Sequence, residues 1–363
     1  MEGYMVKKKI NPEIDLLKFL FSVVIVLYHS KYAVMIGDNA PLPAGYICVE
    51  FFFMVSGYFM AKSSEKFDSL HIGRSTVDYV INKLKPIYPY FIIAFLIAFA
   101  VRQTSFFVKG DYYFTDLGRS LISAIGEVML LMKSGIEYGT IYNGPTWYIG
   151  AMFIAIGVLF PLLLKHRDWF LNVGSLIISI FLYGYACQAK KTLNYLDWSE
   201  FTTFSVIRAI AGICLGCFIF SVVSRINSKD IKIKKTGKAI FVLIEMIILL
   251  IIGLIMQYGK GKGLDFVSII FFCFLCVIVF SGVTGIPDIL PQKFCSFLGK
   301  ASLLLYLNHR VVARVLNHFK FDISPMGNLL IYIAITVCLA FMCNIVVELC
   351  RKSLPKLKNL LFE

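Results

Sequence analysis

Two histidines, a glutamate and several basic residues lie inside stretches of this chain that are otherwise apolar enough for a bilayer. An ionisable side chain is expensive there unless it faces a protein-lined or wet interior. Lys18 and His29 are eleven residues apart, a rotation within about 20° of three full helical turns, so both project from one face together with Asp15 and Ser22. This stripe runs for about 21 Å and reads as a path rather than as scattered polarity. An imidazole titrates near neutrality and suits the removal of a hydroxyl proton. A neighbouring carboxylate would fix its tautomer, and Glu50 in the next apolar stretch stands at the matching depth. Arg208, His309 and Arg310, on two further stretches, fall in the same layer. The residues therefore define His29 as the candidate base, Glu50 as its orienting partner, and Arg208, His309 and Arg310 as groups facing a substrate.

The elements that must hold this layer follow from composition. The 363 residues are 58% hydrophobic and 16% charged, with a mean hydropathy of +0.77, too apolar for a soluble globular chain. Runs long enough to cross a bilayer, about 20 residues each, occur near 16–35, 45–61, 86–101, 145–164, 170–187, 203–223, 239–257, 264–284, 297–318 and 328–349. The fold expected is an all-α polytopic transmembrane bundle of about ten spans, a single domain over 1–363. No interval between spans can house a soluble catalytic or nucleic-acid-binding module. The net charge of +14 collects in alternate loops, Ser224–Lys238 alone holding six basic residues, and so reports topology: both termini are expected in the cytoplasm. The basic stretch 1–15 and the tail 350–363 then face inward. The interval 102–144 is an extracytoplasmic loop whose segment 119–133, with Arg119, Glu127 and Lys133, is amphipathic or re-entrant. Trp147 and Tyr148 open the fourth span at the outer interface. Cys214/Cys217 and Cys273/Cys276 have no nearby histidine to complete a zinc site, so no metal is expected.

Five motifs, in register along the ten-span pattern, carry a resemblance. They are Asp15-Leu16-Leu17-Lys18 leading to His29; Val49-Glu50-Phe51-Phe52-Phe53-Met54-Val55-Ser56-Gly57-Tyr58-Phe59; Pro145-Thr146-Trp147-Tyr148; Ile207-Arg208-Ala209-Ile210-Ala211-Gly212; and Tyr306-Leu307-Asn308-His309. With these the chain resembles the integral-membrane acyltransferase family three over essentially its whole length. The resemblance implies transfer of an acyl group, usually acetyl, from cytoplasmic acetyl-CoA to a hydroxyl of a glycan, a lipid-linked saccharide or another cell-surface molecule. Acetyl-CoA would be a donor substrate rather than a bound cofactor, and a bacterial plasma membrane the location. Two departures concern the donor. Lys18 stands where the family has an arginine, which keeps the charge and loses the bidentate fork. In Lys83-Leu84-Lys85-Pro86 the first lysine matches the first of two family arginines and Pro86 replaces the second. Lys18, Lys83 and Lys85 are thus the candidate donor-binding residues, facing the phosphates of CoA. Related membrane domains have been assigned amino-acid transport, so a transporter of a small polar solute is the alternative.

Acyl transfer from a thioester to an alcohol needs a base, stabilisation of a tetrahedral oxyanion and exclusion of water. His29 fits the first need, with Glu50 behind it. Arg208, Arg310 or His309 would hold the oxyanion or the sugar, and Trp147 the acceptor. Ser56 has no base on its own helix face, so Ser56-Gly57 reads as close helix packing.

Overall fold

The computed structural model describes residues 11–33, 40–108, 114–135, 140–229, 232–261, 263–317 and 323–362, and among them the architecture is helical throughout, with one isolated bridge between Trp198 and Thr203. In chain order the helices are α1 (Pro12–His29), α2 (Cys48–Ser64), α3 (Ile72–Leu84), α4 (Tyr88–Val108), α5 (Phe114–Val128), α6 (Trp147–Lys165), α7 (Arg167–Lys190), α8 (Phe204–Ser228), α9 (Lys235–Tyr258), α10 (Leu264–Ser281), α11 (Gln292–Leu316) and α12 (Pro325–Phe362). Local chemistry sets several boundaries. Asn11 caps α1 by accepting from the Glu13 amide at 3.0 Å, and Pro12 occupies the first turn, where no amide hydrogen is needed. Gly282, at φ 69°, ends α10 in the left-handed region that a side chain would resist.

Seven of these helices, α4, α6 to α10 and the Pro325–Ser353 part of α12, are long and apolar enough to cross a membrane. The other three expected spans are α1, α2 and α11, which carry the polar stripe and form the interior of the bundle. α2 packs most extensively on α8, and α1 on α11. The α2–α8 contact is a seam of small residues. A Cβ on Gly57 would sit 2.0 Å from the Ile213 carbonyl oxygen, and one on Gly216 2.0 Å from that of Met54. The backbones therefore touch, which is the packing expected at Ser56-Gly57.

Contacts between helix ends sort the chain onto two ends of the bundle. Arg167 Nη2 lies 3.3 Å from Glu65 Oε1, Arg225 donates to the Asn172 side chain at 2.7 Å, and Tyr90 donates to Glu348 at 3.1 Å. Lys18 and Lys83 line one cavity at this same end. At the other end Tyr28 meets Asn194 at 3.1 Å and Tyr46 meets Asp265 at 2.9 Å. The segments grouped at the first end are those that the basic residues assign to a single side. Residues 1–10 of the basic N-terminal stretch lie outside the described residues, and the expected C-terminal tail continues as helix to Phe362.

The doubtful segment 119–133 is mostly the short helix α5. Its fifteen residues span about 22 Å. Leu121, Ile122 and Ile125 are exposed on one face while Ala124 and Glu127 are buried on the other. Glu127 accepts from the amides of Tyr142 at 2.6 Å and Asn143 at 2.8 Å, tying α5 to the chain that re-enters the bundle at α6. The turn after α5 presses the Leu130 carbonyl to within 2.3 Å of where a Cβ on Gly150 would stand, so only glycine fits there on α6.

Candidate active site

The packing of α1 on α11 brings the rings of His29 and His309 to a centroid distance of 4.8 Å. Each ring is held in the same way, by a contact from Nδ1 to the carbonyl four residues back: Ile25 at 2.9 Å for His29 and Leu305 at 3.2 Å for His309. A carbonyl only accepts, so these contacts assign the hydrogen to Nδ1 and leave the Nε2 lone pair available in both residues. Nε2 of His309 is buried with no hydrogen-bond partner among the described residues. Such a group carries a desolvation cost that a ligand would relieve. Arg310, the next residue, stacks its guanidinium on Tyr32 at 3.7 Å, and the Tyr32 ring lies 5.8 Å from that of His29. The structure thus brings His29, His309 and Arg310 together.

Glu50 does not orient His29. It is fully buried and accepts from Arg208 Nε at 2.7 Å and from the Tyr183 hydroxyl. The cause is the small-residue seam, which draws α2 onto α8 and turns Glu50 toward Arg208, while the Ile25 carbonyl does the orienting of the imidazole. Arg208 is committed in turn: its guanidinium lies 5.1 Å from the Trp147 ring centre as well as against Glu50. Trp147, expected to hold the acceptor, is correspondingly buried and carries Arg208. The single polar layer of the sequence therefore resolves into two groups, a histidine pair with Arg310 and a buried ion pair with Trp147 and Tyr183.

Below them lies a cavity of about 220 Å³. Lys18 and Lys83 line one end, Tyr148 and Tyr306 the other, with Ser22 and Ser302 along the wall. Lys18 pairs with Asp15 at 3.0 Å, its partner three residues earlier on the stripe. Lys83, at the end of α3, has its ammonium pKa lowered to about 8, chiefly by burial and then by the charge of Lys18. An anion between the two lysines would relieve both penalties. Lys85 is exposed at the cap of α3 and does not line the cavity, so the structure brings two of the three expected donor-binding lysines together. The serines are spent on backbone: Ser22 donates to the Ser302 carbonyl at 2.7 Å and Ser302 to that of Lys18 at 3.0 Å.

Three aromatic residues escaped notice as site residues. Tyr183 had no signal, being one tyrosine in an apolar run. Tyr148 and Tyr306 were visible only as members of motifs; the structure puts their rings 5.9 Å apart at the end of the cavity away from the lysines.

A helical bundle with candidate spans around a buried histidine pair, an ion pair and a lysine-lined cavity defines a multi-pass membrane protein built for chemistry inside its own interior. The chain belongs to acyltransferase family 3, whose acyltransferase domain matches residues 11–345. It is also similar to an amino-acid racemase of Enterococcus faecalis, 24% identical over 234 residues that make up 60% of this chain and 30% of the racemase. The chain therefore spans under a third of that relative's length. No solved structure matches the chain.

Proposed function

We propose that the protein is an O-acyltransferase of ten crossings with both termini in the cytoplasm, set in a bacterial plasma membrane. On this reading it takes an acyl group, acetyl in the simplest form, from cytoplasmic acyl-CoA and places it on a hydroxyl of a cell-surface glycan or lipid-linked saccharide. The observation that carries the reading is the state of His29: Nδ1 is held by the Ile25 carbonyl, which leaves Nε2 as a base at the end of the bundle opposite the lysines. In the reaction His29 Nε2 takes the proton of the acceptor hydroxyl as its oxygen attacks the thioester carbon. The tetrahedral oxyanion collapses, the carbon–sulfur bond breaks, and the thiolate recovers the proton from the imidazolium as free CoA leaves. Arg310, beside the histidines and not committed to a carboxylate, is the cation best placed to hold developing negative charge. Arg208 is not, because Glu50 already neutralises it.

The lysine-lined cavity supports the donor assignment. Two cations at its mouth suit phosphates, and an apolar throat suits a pantetheine arm. The test is release of CoA thiol by the purified protein given acetyl-CoA and glycan extract, alongside mass spectrometry of surface glycans with and without the gene. Glycans unchanged by the mass of an acetyl group, no thiol release, and instead solute accumulation in vesicles without CoA would refute the proposal in favour of transport.

A further inference from the structure

Neither histidine lines the cavity, yet one residue that lines it also lies beside His309. Tyr306 lines the cavity at the end away from the lysines, and its ring centre is 5.9 Å from that of His309 and 5.9 Å from that of Tyr148. It is buried, and its hydroxyl donates to the Pro145 carbonyl in the turn that starts α6. The ring is thus pinned at both ends: by its helix, α11, and by its hydroxyl. A thioester held with its CoA phosphates near Lys18 and Lys83 would point its acyl group at this ring. The base lies beyond it.

We infer that Tyr306 is a specificity-determining residue that closes the acyl end of the donor cavity, restricting the acyl group to short chains and separating the thioester from the histidine compartment. The inference rests on the acyl-CoA reading for the identity of the cavity's occupant. The wall itself rests on geometry alone. Tyr148 contributes the other half of the closure, but its hydroxyl meets Ser56 at only 3.4 Å, a long contact. Tyr306 holds the stronger fixed position because its latch is on backbone. The arrangement also answers a chemical need. Water reaching the histidine side would hydrolyse a thioester that lay open to it, and a ring between the two compartments keeps the donor intact until an acceptor is present. For transfer to occur the ring must swing off Pro145, so Tyr306 is a moving part and not merely a boundary.

Two readouts separate this inference from the function on which it rests. The first is thiol release from acetyl-, butyryl- and hexanoyl-CoA with water as acceptor, using the purified parent, Tyr306→Phe and Tyr306→Ala. The parent should favour acetyl over hexanoyl. Tyr306→Ala should shift the hexanoyl-to-acetyl ratio by about tenfold, the loss of one steric contact worth about 1.4 kcal/mol. Tyr306→Phe keeps the ring and should keep the preference, while raising acetyl-CoA hydrolysis through loss of the latch. An unchanged chain-length ratio in Tyr306→Ala overturns the inference. The second readout needs no turnover. Ser56 lines the cavity, and Ser56→Cys can be probed in vesicles of known orientation with a small charged methanethiosulfonate reagent, the modified peptide being read by mass spectrometry. Labelling should come only from the Lys18–Lys83 end in the parent, and from both ends when Tyr306→Ala is added. Equal labelling from both ends in the parent overturns the inference even if no variant releases CoA. Tyr306→Leu, which fills much of the same volume, replaces the alanine variant in both measurements if the latter fails to fold.

Discussion

Replacing Glu50 with glutamine should destabilise the bundle rather than disable the chemistry. Glu50 is 0% exposed and Arg208 2% exposed, with 2.7 Å between them. Removing the carboxylate charge leaves a guanidinium in the bundle interior with the Trp147 ring alone to face. Breaking a buried pair from one side costs about 3–5 kcal/mol, because the surviving charge keeps its desolvation penalty. The amide of glutamine retains one acceptor for Arg208 or Tyr183, so the lower end, about 3 kcal/mol, is expected, or roughly 4 °C in the melting temperature. The assay is a thermal unfolding scan in detergent for the parent, Glu50→Gln, Arg208→Met and the double variant. Arg208→Met alone strands Glu50 and should cost as much. The double variant removes both charges and should recover at least half of the summed loss, a coupling of about 3 kcal/mol or more. Thiol release normalised to folded protein should stay within about threefold of the parent in Glu50→Gln, since a residue acting only through packing leaves the transition state alone. A Glu50→Gln protein as stable as the parent but inactive would refute this reasoning and return the carboxylate to the chemistry.

His29→Ala should give the opposite pattern, abolishing thiol release with acceptor while lowering the melting temperature less than Glu50→Gln does, because truncating this half-buried ring strands no buried charge. Lys18→Arg should keep activity, whereas Lys18→Met should raise the apparent KM for acetyl-CoA by about tenfold, the worth of one charge-assisted contact; unchanged donor kinetics would remove Lys18 from the site. The Lys83 ammonium, with its pKa near 8, is charged below that value and neutral above it, so KM for the donor should rise as pH climbs through about 8. Lys83→Arg should abolish that rise, a guanidinium staying charged throughout. Gly57→Ala should cost about 1–3 kcal/mol or more in stability, since the added methyl meets backbone that cannot yield, and a parent-like melting temperature would disprove the backbone contact.

Depth was legible in the sequence and azimuth was not. Counting residues from the ends of apolar runs puts His29, Glu50, Arg208 and His309 in one layer; the structure pairs His29 with His309 and Glu50 with Arg208. The count says nothing about which helices are neighbours. That is decided by Gly57, Gly212 and Gly216, which let α2 and α8 approach and so hand Glu50 to Arg208. Trp147, expected to hold the acceptor, illustrates the same limit: nothing in an apolar run shows that its ring will face the Arg208 guanidinium. Lys18 and Lys83, both singled out by the family resemblance, line one cavity. Lys85, two residues on, points elsewhere because α3 is helical up to its cap. Segment 119–133 could be placed outside the spans by charge alone, but its partnership with residues 142 and 143 depends on a single carboxylate, Glu127, that could as easily have faced solvent.

The two serines on the cavity wall exchange hydroxyls for carbonyls across α1 and α11, and each stands seven residues before a histidine, Ser22 before His29 and Ser302 before His309. Seven residues are close to two turns, about 10.5 Å of rise. The parallel helices are therefore locked in register at the serine level, and the imidazoles inherit their alignment from that lock. Inserting one residue between serine and histidine on either helix would turn that ring away by about 100° with the clamp below intact. Because the clamp is also cavity wall, whatever fills the cavity presses on the part that keeps the two bases level.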